Sequence, residues 1–289
     1  MKKLGDRRDG VRVKNINGLN AIIAHIKPNR CDSDVYIDQK IDVTELVKYV
    51  EKRNKNLKNK DDKITYFHAF SMAIAKVVYN RPLLNRFIAN GRFYDRNNVS
   101  LAFMAKVAFE DYSKEFMSVL NVGEDWNIDT MQKTLSSQVK KVRSNSSGNT
   151  DSAINIIGKM PKFLRVIIVA IFKFLDRHDL IPASMTKDLL YYSTIIISNL
   201  GSIGCDAIYH NLTDFGTNSI LMTIGKIHKE NVVMSDGSTE IRDFCNFGIT
   251  LDERIADGFY FVKSVQLFDY ILQNPELLEG DANEKIENK

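Results

Sequence analysis

The stretch Leu251-Asp252-Glu253-Arg254-Ile255-Ala256-Asp257-Gly258-Phe259 constrains the fold of this chain more than any other. Phe244 to Leu251, just before it, reads as a buried strand. Phe259 to Gln273, just after it, reads as a helix through Phe261, Val262, Val265, Leu267, Phe268 and Leu272. A strand therefore runs into a helix across a corner that holds Asp252, Glu253, Arg254 and Asp257. So many ionisable groups at one corner raise the free energy unless they pair with one another or perform chemistry.

The remaining segments surround that corner with alternating structure. Asn20 to Ile26 reads as a short helix stopped by Pro28. Asp34 to Ile41 reads as a strand, and Asp42 to Glu45 has the spacing of a capping box opening a helix from Thr44 to Asn56. Tyr66 to Tyr79 is apolar on most sides and is expected to be buried. Asn90-Gly91 between apolar flanks is the strongest hairpin signal. Val99 to Phe109 and Phe116 to Val122 follow as strands, and Ile128 to Arg143 as a helix. Ser144 to Thr150 has linker composition but is read as a loop inside the domain, and a helical region follows from Ser152 to Leu175. Ser193 to Ser198 and Ser219 to His228 are further strands. Strands in hairpin spacing mixed with crossing helices imply an α/β two-layer sandwich with a mixed β-sheet. Gly201-Ser202-Ile203-Gly204 lacks the third glycine and the following helix of a dinucleotide loop. Residues 1–15 read as a basic N-terminal arm, 16–279 as one domain and 280–289 as a disordered charged tail.

Several segments then resemble one family in order and spacing. The corner pattern D-x-R-x-x-D-G is similar to the active-site motif of the 2-oxoacid dehydrogenase acyltransferase catalytic domain and its relative chloramphenicol acetyltransferase. Thr194-Ile195-Ile196-Ile197-Ser198-Asn199-Leu200-Gly201 resembles the family's F-T-I-S-N-L-G strand, Ser219 to Lys226 its next strand, and Asn274-Pro275-Glu276-Leu277-Leu278 its ending. The resemblance spans about Asn20 to Leu278. It implies a chloramphenicol acetyltransferase-like fold and a homotrimer with the active site between subunits. It also implies coenzyme A thioester as acyl donor, with no metal. By position, Ser198 becomes the donor of a hydrogen bond to the tetrahedral oxyanion, and Asp257 the structural carboxylate that pairs with an arginine, sought at Arg12 or Arg30. No lipoyl domain precedes the catalytic part, so the chain resembles a free-standing relative.

One position departs from the family. Where its motif carries a catalytic histidine, this chain has Glu253. An ordinary carboxylate is a weaker base than imidazole, so Glu253 needs desolvation in an apolar channel to take a thiol proton. His210, in the segment after the serine strand, is the alternative base. His68, on the buried helix, reads more readily as a core histidine, and His25, His178 and His228 as solvent-facing. Glu253 has a second reading, an ion pair with Arg254 or another nearby cation in a catalytically dead channel. The function read from the sequence is therefore an acyltransferase acting on a CoA or carrier thioester, with an inactive trimer serving binding or scaffolding as the alternative.

Composition narrows the setting. Forty Lys and Arg against 36 Asp and Glu leave a net charge of +4, and with no zinc spacing and no aromatic-basic surface nothing points to nucleic acid. The charged N-terminus has no apolar run behind it, so no secretory signal is expected. Cys31, Cys205 and Cys245 are expected as free, buried thiols of a reducing cytoplasm. Phe163 to Leu175 is too short to span a membrane and is interrupted by Arg165 and Lys173. It reads either as a helix packed against the sheet or a subunit interface, or as a peripheral contact with an anionic membrane or a long acyl chain.

Overall fold

The computed structural model describes residues 5–106, 115–144 and 156–287. A seven-stranded mixed sheet has the order β2-β10-β8-β7-β5-β6, with β9 pairing β10. Its strands are β2 (Asp34–Asp42), β5 (Val99–Lys106), β6 (Glu115–Val122), β7 (Ile195–Asn199), β8 (Ile220–Ile224), β9 (His228–Val233) and β10 (Thr239–Asp252). The β5/β7 and β7/β8 pairs are parallel and the others antiparallel. Four helices pack on the sheet or on one another: α2 (Thr44–Asn54), α3 (Tyr66–Asn80), α4 (Ile128–Ser144) and α7 (Gly258–Gln273). Strand parity makes the layer. Ile195 and Ile197, Ile220, Met222 and Ile224, and Cys245, Phe247, Ile249 and Leu251 belong to one buried core with the helices. Helix α3 lies at the centre, with every residue from His68 to Val78 buried, as its all-round apolar pattern demands.

A smaller sheet, β1-β4-β3, stands beside this layer and uses β1 (Gly10–Arg12), β3 (Arg86–Ala89) and β4 (Arg92–Arg96). Asn90 and Gly91 both take positive φ, 50° and 67°, which joins β3 to β4 by the two-residue turn that the Asn-Gly pair favours. Helix α1 (Gly18–Ile26) packs Ala24 against Ile88 and Phe93 of this sheet.

Four sequence expectations change. Residues 5–15 of the expected arm are folded onto the domain: β1 pairs with β4, and Arg7 is buried with its guanidinium on the Asp176 carbonyl oxygen at 2.8 Å. The tail is docked as far as residue 287. Lys76, fully buried in α3, donates to the Asp281 carbonyl oxygen at 2.5 Å and lies 3.6 Å from Glu284, so an ammonium that needs acceptors draws the chain end onto α3. The spacing at Asp42 to Glu45 does not make a capping box. Val43 is the N-cap, while Asp42 accepts from the Thr44 amide at 2.9 Å and Thr44 Oγ1 accepts from the Asp243 amide at 2.9 Å. Of the three thiols only Cys245 is buried, and burial pushes it up to about 12; Cys31, at the start of a short 3-10 turn, and Cys205, in a loop, are exposed. Within the segment 144–150, residues 145–150 lie outside the described residues.

The face of the sheet opposite the helices is crossed by residues 205–216 at backbone contact. Thr223 Oγ1 on β8 donates to the Ile208 carbonyl oxygen at 2.5 Å, and the Ile208 amide donates back at 3.1 Å. A Cβ at Gly248 would stand 2.4 Å from that carbonyl oxygen, so the crossing needs glycine there. Gly248→Ala is expected to destabilise the protein by about 1–3 kcal/mol and to speed proteolysis within 205–216. Thermal unfolding and limited digestion would check this, and an unchanged digestion pattern would refute the close crossing.

Candidate active site

The corner after β10 is built outward from a buried ion pair. Asp252 and Arg254 are both buried and meet bidentately, Nε to Oδ1 at 2.7 Å and Nη2 to Oδ2 at 2.6 Å. Arg254 Nη1 donates to the Lys27 carbonyl oxygen at 2.5 Å, which ties the corner to the end of α1. Between these two residues the chain turns Glu253 outward. Its amide donates to the Ser33 carbonyl oxygen at 3.0 Å, and its carboxylate accepts from Lys27 Nζ, with both side chains 38% exposed. The expected ion pair of Glu253 is thus made with Lys27, because Arg254 is engaged by Asp252. In the single chain, the desolvation sought for Glu253 is replaced by a half-exposed ion pair.

Asp257 closes the corner as the N-cap of α7, accepting from the Tyr260 amide at 2.7 Å. Its side chain is exposed, and the arginine expected for it does not come. Arg12 sits at the other sheet, its amide on Asp6, while Arg30 is buried and donates to the carbonyl oxygens of Thr213 at 3.0 Å and Ile88 at 2.9 Å. The acid that holds an arginine at this corner is Asp252.

Beside the pair lies a cleft of about 130 Å³ lined by Arg30, Lys173, Arg177 and Arg254 together with Asp176 and Asp214. Arg30 Nε is buried without a partner among the described residues, and burial lowers the Arg30 pKa despite the nearby Asp252. Such a guanidinium suits a small anionic group. At the facing strand end, Asp34, the β2 neighbour of Asp252, accepts from the Leu212 amide at 3.2 Å and from Asn211 Nδ2 at 3.0 Å, and burial raises its pKa. Lys27 and Asp34 were not singled out as site residues from the sequence, and Arg30 was sought there only as a partner of Asp257. The one available signal was Pro28, which ends α1 at Lys27 and so fixes where the corner's partner stands.

Ser198 lies at the far end of the sheet. It pairs with Thr223, which pairs with Gly248, five residues before Glu253 along β10. At about 3.3 Å per residue the two candidates are separated by roughly 16 Å along the strands alone. Ser198 shares the loop-crossed face with Thr223, and among the described residues its hydroxyl has no hydrogen-bond partner. His210 is exposed in the crossing loop, next to Asn211, and so stands near the Glu253 end. The structure therefore gathers Glu253, Asp252, Arg254 and Lys27, brings His210 near that end, and leaves Ser198 apart.

His68 is structural. Its Nδ1 accepts from the Thr65 amide at 3.0 Å while Thr65 Oγ1 accepts from the His68 amide at 3.3 Å, and burial lowers its pKa to about 4. The unfolded chain binds this proton below an ordinary pKa of about 6.5 and the folded one does not. Stability present in full above that value is thus expected to fall by about 3 kcal/mol as pH drops to 4. His68→Gln keeps the reverse cap without a titrating ring and should flatten that part of the pH–stability curve. An unaltered slope in urea titrations across this range would rule the assignment out.

The family model described as 2-oxoacid dehydrogenases acyltransferase (catalytic domain) matches residues 29–151 and 159–279. The lipoamide acyltransferase component of the branched-chain alpha-keto acid dehydrogenase complex of Bacillus subtilis is 22% identical over 240 residues, covering 82% of this chain and 46% of that protein. The chain thus spans about half the length of the curated relative it matches. The crystal structure of a probable dihydrolipoamide acetyltransferase from Listeria monocytogenes superposes with a TM-score of 0.59 at 19% identity, covering 92% of this chain and 95% of that one. A chloramphenicol acetyltransferase does so with 0.54 at 13%, covering 92% and 98%. The expected α/β sandwich with a mixed sheet is the fold these structures share.

Proposed function

The chain belongs to the 2-oxoacid dehydrogenase acyltransferase (catalytic domain) family, and on that premise we propose that it transfers an acyl group from a CoA or carrier thioester to a nucleophilic acceptor. The observation that carries this reading is Glu253, a half-exposed carboxylate on a corner fixed by the buried Asp252–Arg254 pair. Glu253 accepts the acceptor's proton as its nucleophile attacks the thioester carbonyl. The carbonyl oxygen becomes an oxyanion, which the Ser198 hydroxyl stabilises by a hydrogen bond. Collapse of the tetrahedral intermediate breaks the C–S bond, and the proton passes from Glu253 to the departing thiolate. Arg30, at the floor of the cleft beside the pair, offers a cation to a phosphate-bearing carrier.

One chain cannot complete this site, since Ser198 and Glu253 stand at opposite strand ends. A homotrimer with the site between subunits resolves the separation by bringing Ser198 of one copy to Glu253 of another. Uncovered apolar side chains beside each half, Ile203 near Ser198 and Phe259 and Val262 near the Asp257 cap, support such an interface. Two exposed free thiols suit a cytoplasmic setting. A second reading, an inactive trimer for binding or scaffolding, is favoured by the Lys27–Glu253 ion pair, which already engages the carboxylate.

Released thiol from a panel of acyl-CoA thioesters decides between the two. The site described requires that Ser198→Ala and Glu253→Gln proteins, each inactive alone, regain partial activity when their subunits are mixed and reassembled. Turnover by neither wild type nor mixture, from a folded trimer that binds CoA, selects the scaffolding reading.

A further inference from the structure

Helix α5 (Lys162–Arg177) is the part of the fold whose apolar surface is left most open among the described residues. It touches the domain through Ile168, Phe172 and Leu175, which are half-buried, and Asp176, which is buried. Phe172 stacks on Phe215 with ring centres 5.5 Å apart. Another stripe faces outward. Phe163, Ile167, Ala170, Ile171 and Phe174 recur at i, i+4, i+7, i+8 and i+11, which places them on one side of a helix. Phe163 is 64%, Ile167 51% and Phe174 58% exposed.

The charges around this stripe have one sign. Lys162, Lys173 and Arg177 fall along one border of it by helical phase, Arg165 lies beyond, and all four are exposed with no ion-pair partner among the described residues. The helix's one acid, Asp176, is turned inward and neutralised by Arg7 at 3.4 Å and Arg8 at 3.2 Å. What α5 presents to its surroundings is therefore apolar and cationic. At 16 residues it is about 24 Å long, shorter than the roughly 30 Å of a bilayer's hydrocarbon core. No described helix is long and apolar enough to cross a membrane.

We propose that α5 docks the protein on an anionic phospholipid surface. It lies in the plane of the interface, with Phe163, Ile167, Ile171 and Phe174 at the acyl boundary and Lys162, Lys173 and Arg177 at the headgroup phosphates. Charge complementarity selects this occupant. An anionic leaflet offers phosphates along the whole border of the stripe, whereas a second copy of this chain, itself of net charge +4, would have to assemble carboxylates opposite unpaired cations. The inference is independent of the acyltransferase reading.

The test is flotation of the full chain with vesicles of phosphatidylcholine and phosphatidylglycerol in equal parts, and with vesicles of phosphatidylcholine alone. The protein is expected to float with the mixed vesicles and to be released by salt. The double variant Ile167→Glu with Phe174→Glu, which leaves the inward residues intact, should lower partitioning at least ~10-fold. Lys162→Gln should lower it about fivefold. Unfolding midpoints and subunit count, compared with wild type, confirm that the variants fold. The proposal is overturned if wild type stays with neither vesicle, if the double variant floats like wild type, or if the substitutions change the subunit count without any vesicle binding, which would assign the stripe to a second copy.

Discussion

Glu253→Gln is expected to lower kcat/KM for acyl transfer by about 100- to 10,000-fold, the usual contribution of a positioned general base. The substitution keeps the shape of the side chain and its capacity to accept from Lys27, so what it removes is the ability to take a proton. The expected change in folding stability is small, at most about 1 kcal/mol, because the ion pair it weakens is more than a third exposed. That contrast makes the experiment informative: a large loss of rate with an unchanged unfolding midpoint places the proton transfer at Glu253. His210→Ala, made in parallel, addresses the other candidate base near this end of the sheet. If His210→Ala abolishes turnover while Glu253→Gln leaves it intact, the histidine in the crossing loop carries the proton instead.

Asp252→Asn should have the largest effect on stability. Arg254 is buried and donates two of its hydrogen bonds to the Asp252 carboxylate. Neutralising that partner leaves a guanidinium in the interior without its counter-charge, a change that costs about 3–5 kcal/mol. In a domain of this size the thermal midpoint should fall by roughly 10 °C, with little dependence on salt, since buried pairs are weakly screened. Replacing both members, Asp252→Leu with Arg254→Met, should recover much of the loss, because no buried charge then remains. Urea unfolding of the two variants measures this. A double variant no more stable than Asp252→Asn would locate the cost in packing or in the tie from Arg254 to the Lys27 carbonyl rather than in the orphaned charge.

What the sequence disclosed follows from the range of the interactions involved. Asn90-Gly91 announced its turn because the two positive φ angles are a property of those two residues. Helix α3 was legible because a helix buried on all sides carries no charged residue until Lys76, and the partners of that lysine, Asp281 and Glu284, lie about 200 positions downstream. For the same reason the tail looked free. The first five residues of β10, Thr239 to Asp243, were missed. They pair with β9 at the border of the sheet, where exposed strands carry charges and show no alternation. At the corner, the crowding of Asp252, Glu253, Arg254 and Asp257 was visible, but the choice of partners was not. Lys27 reaches Glu253 from 226 positions away, and only the path of α1 decides that it does so. The exposure of Cys205 likewise depends on a loop whose course is set by distant contacts, such as that of Ile208 with Thr223.

On the proposed function, the placement of Ser198 and Glu253 at opposite strand ends would give catalysis a kinetic order. If each working centre needs the serine end of one molecule and the carboxylate end of another, specific activity is set by the law of mass action. It stays constant while subunits remain associated, then falls steeply on dilution past their dissociation constant and returns on concentration. Turnover then reports association directly. A subunit surface substitution far from either residue would then silence turnover with Ser198 and Glu253 untouched, simply by keeping molecules apart.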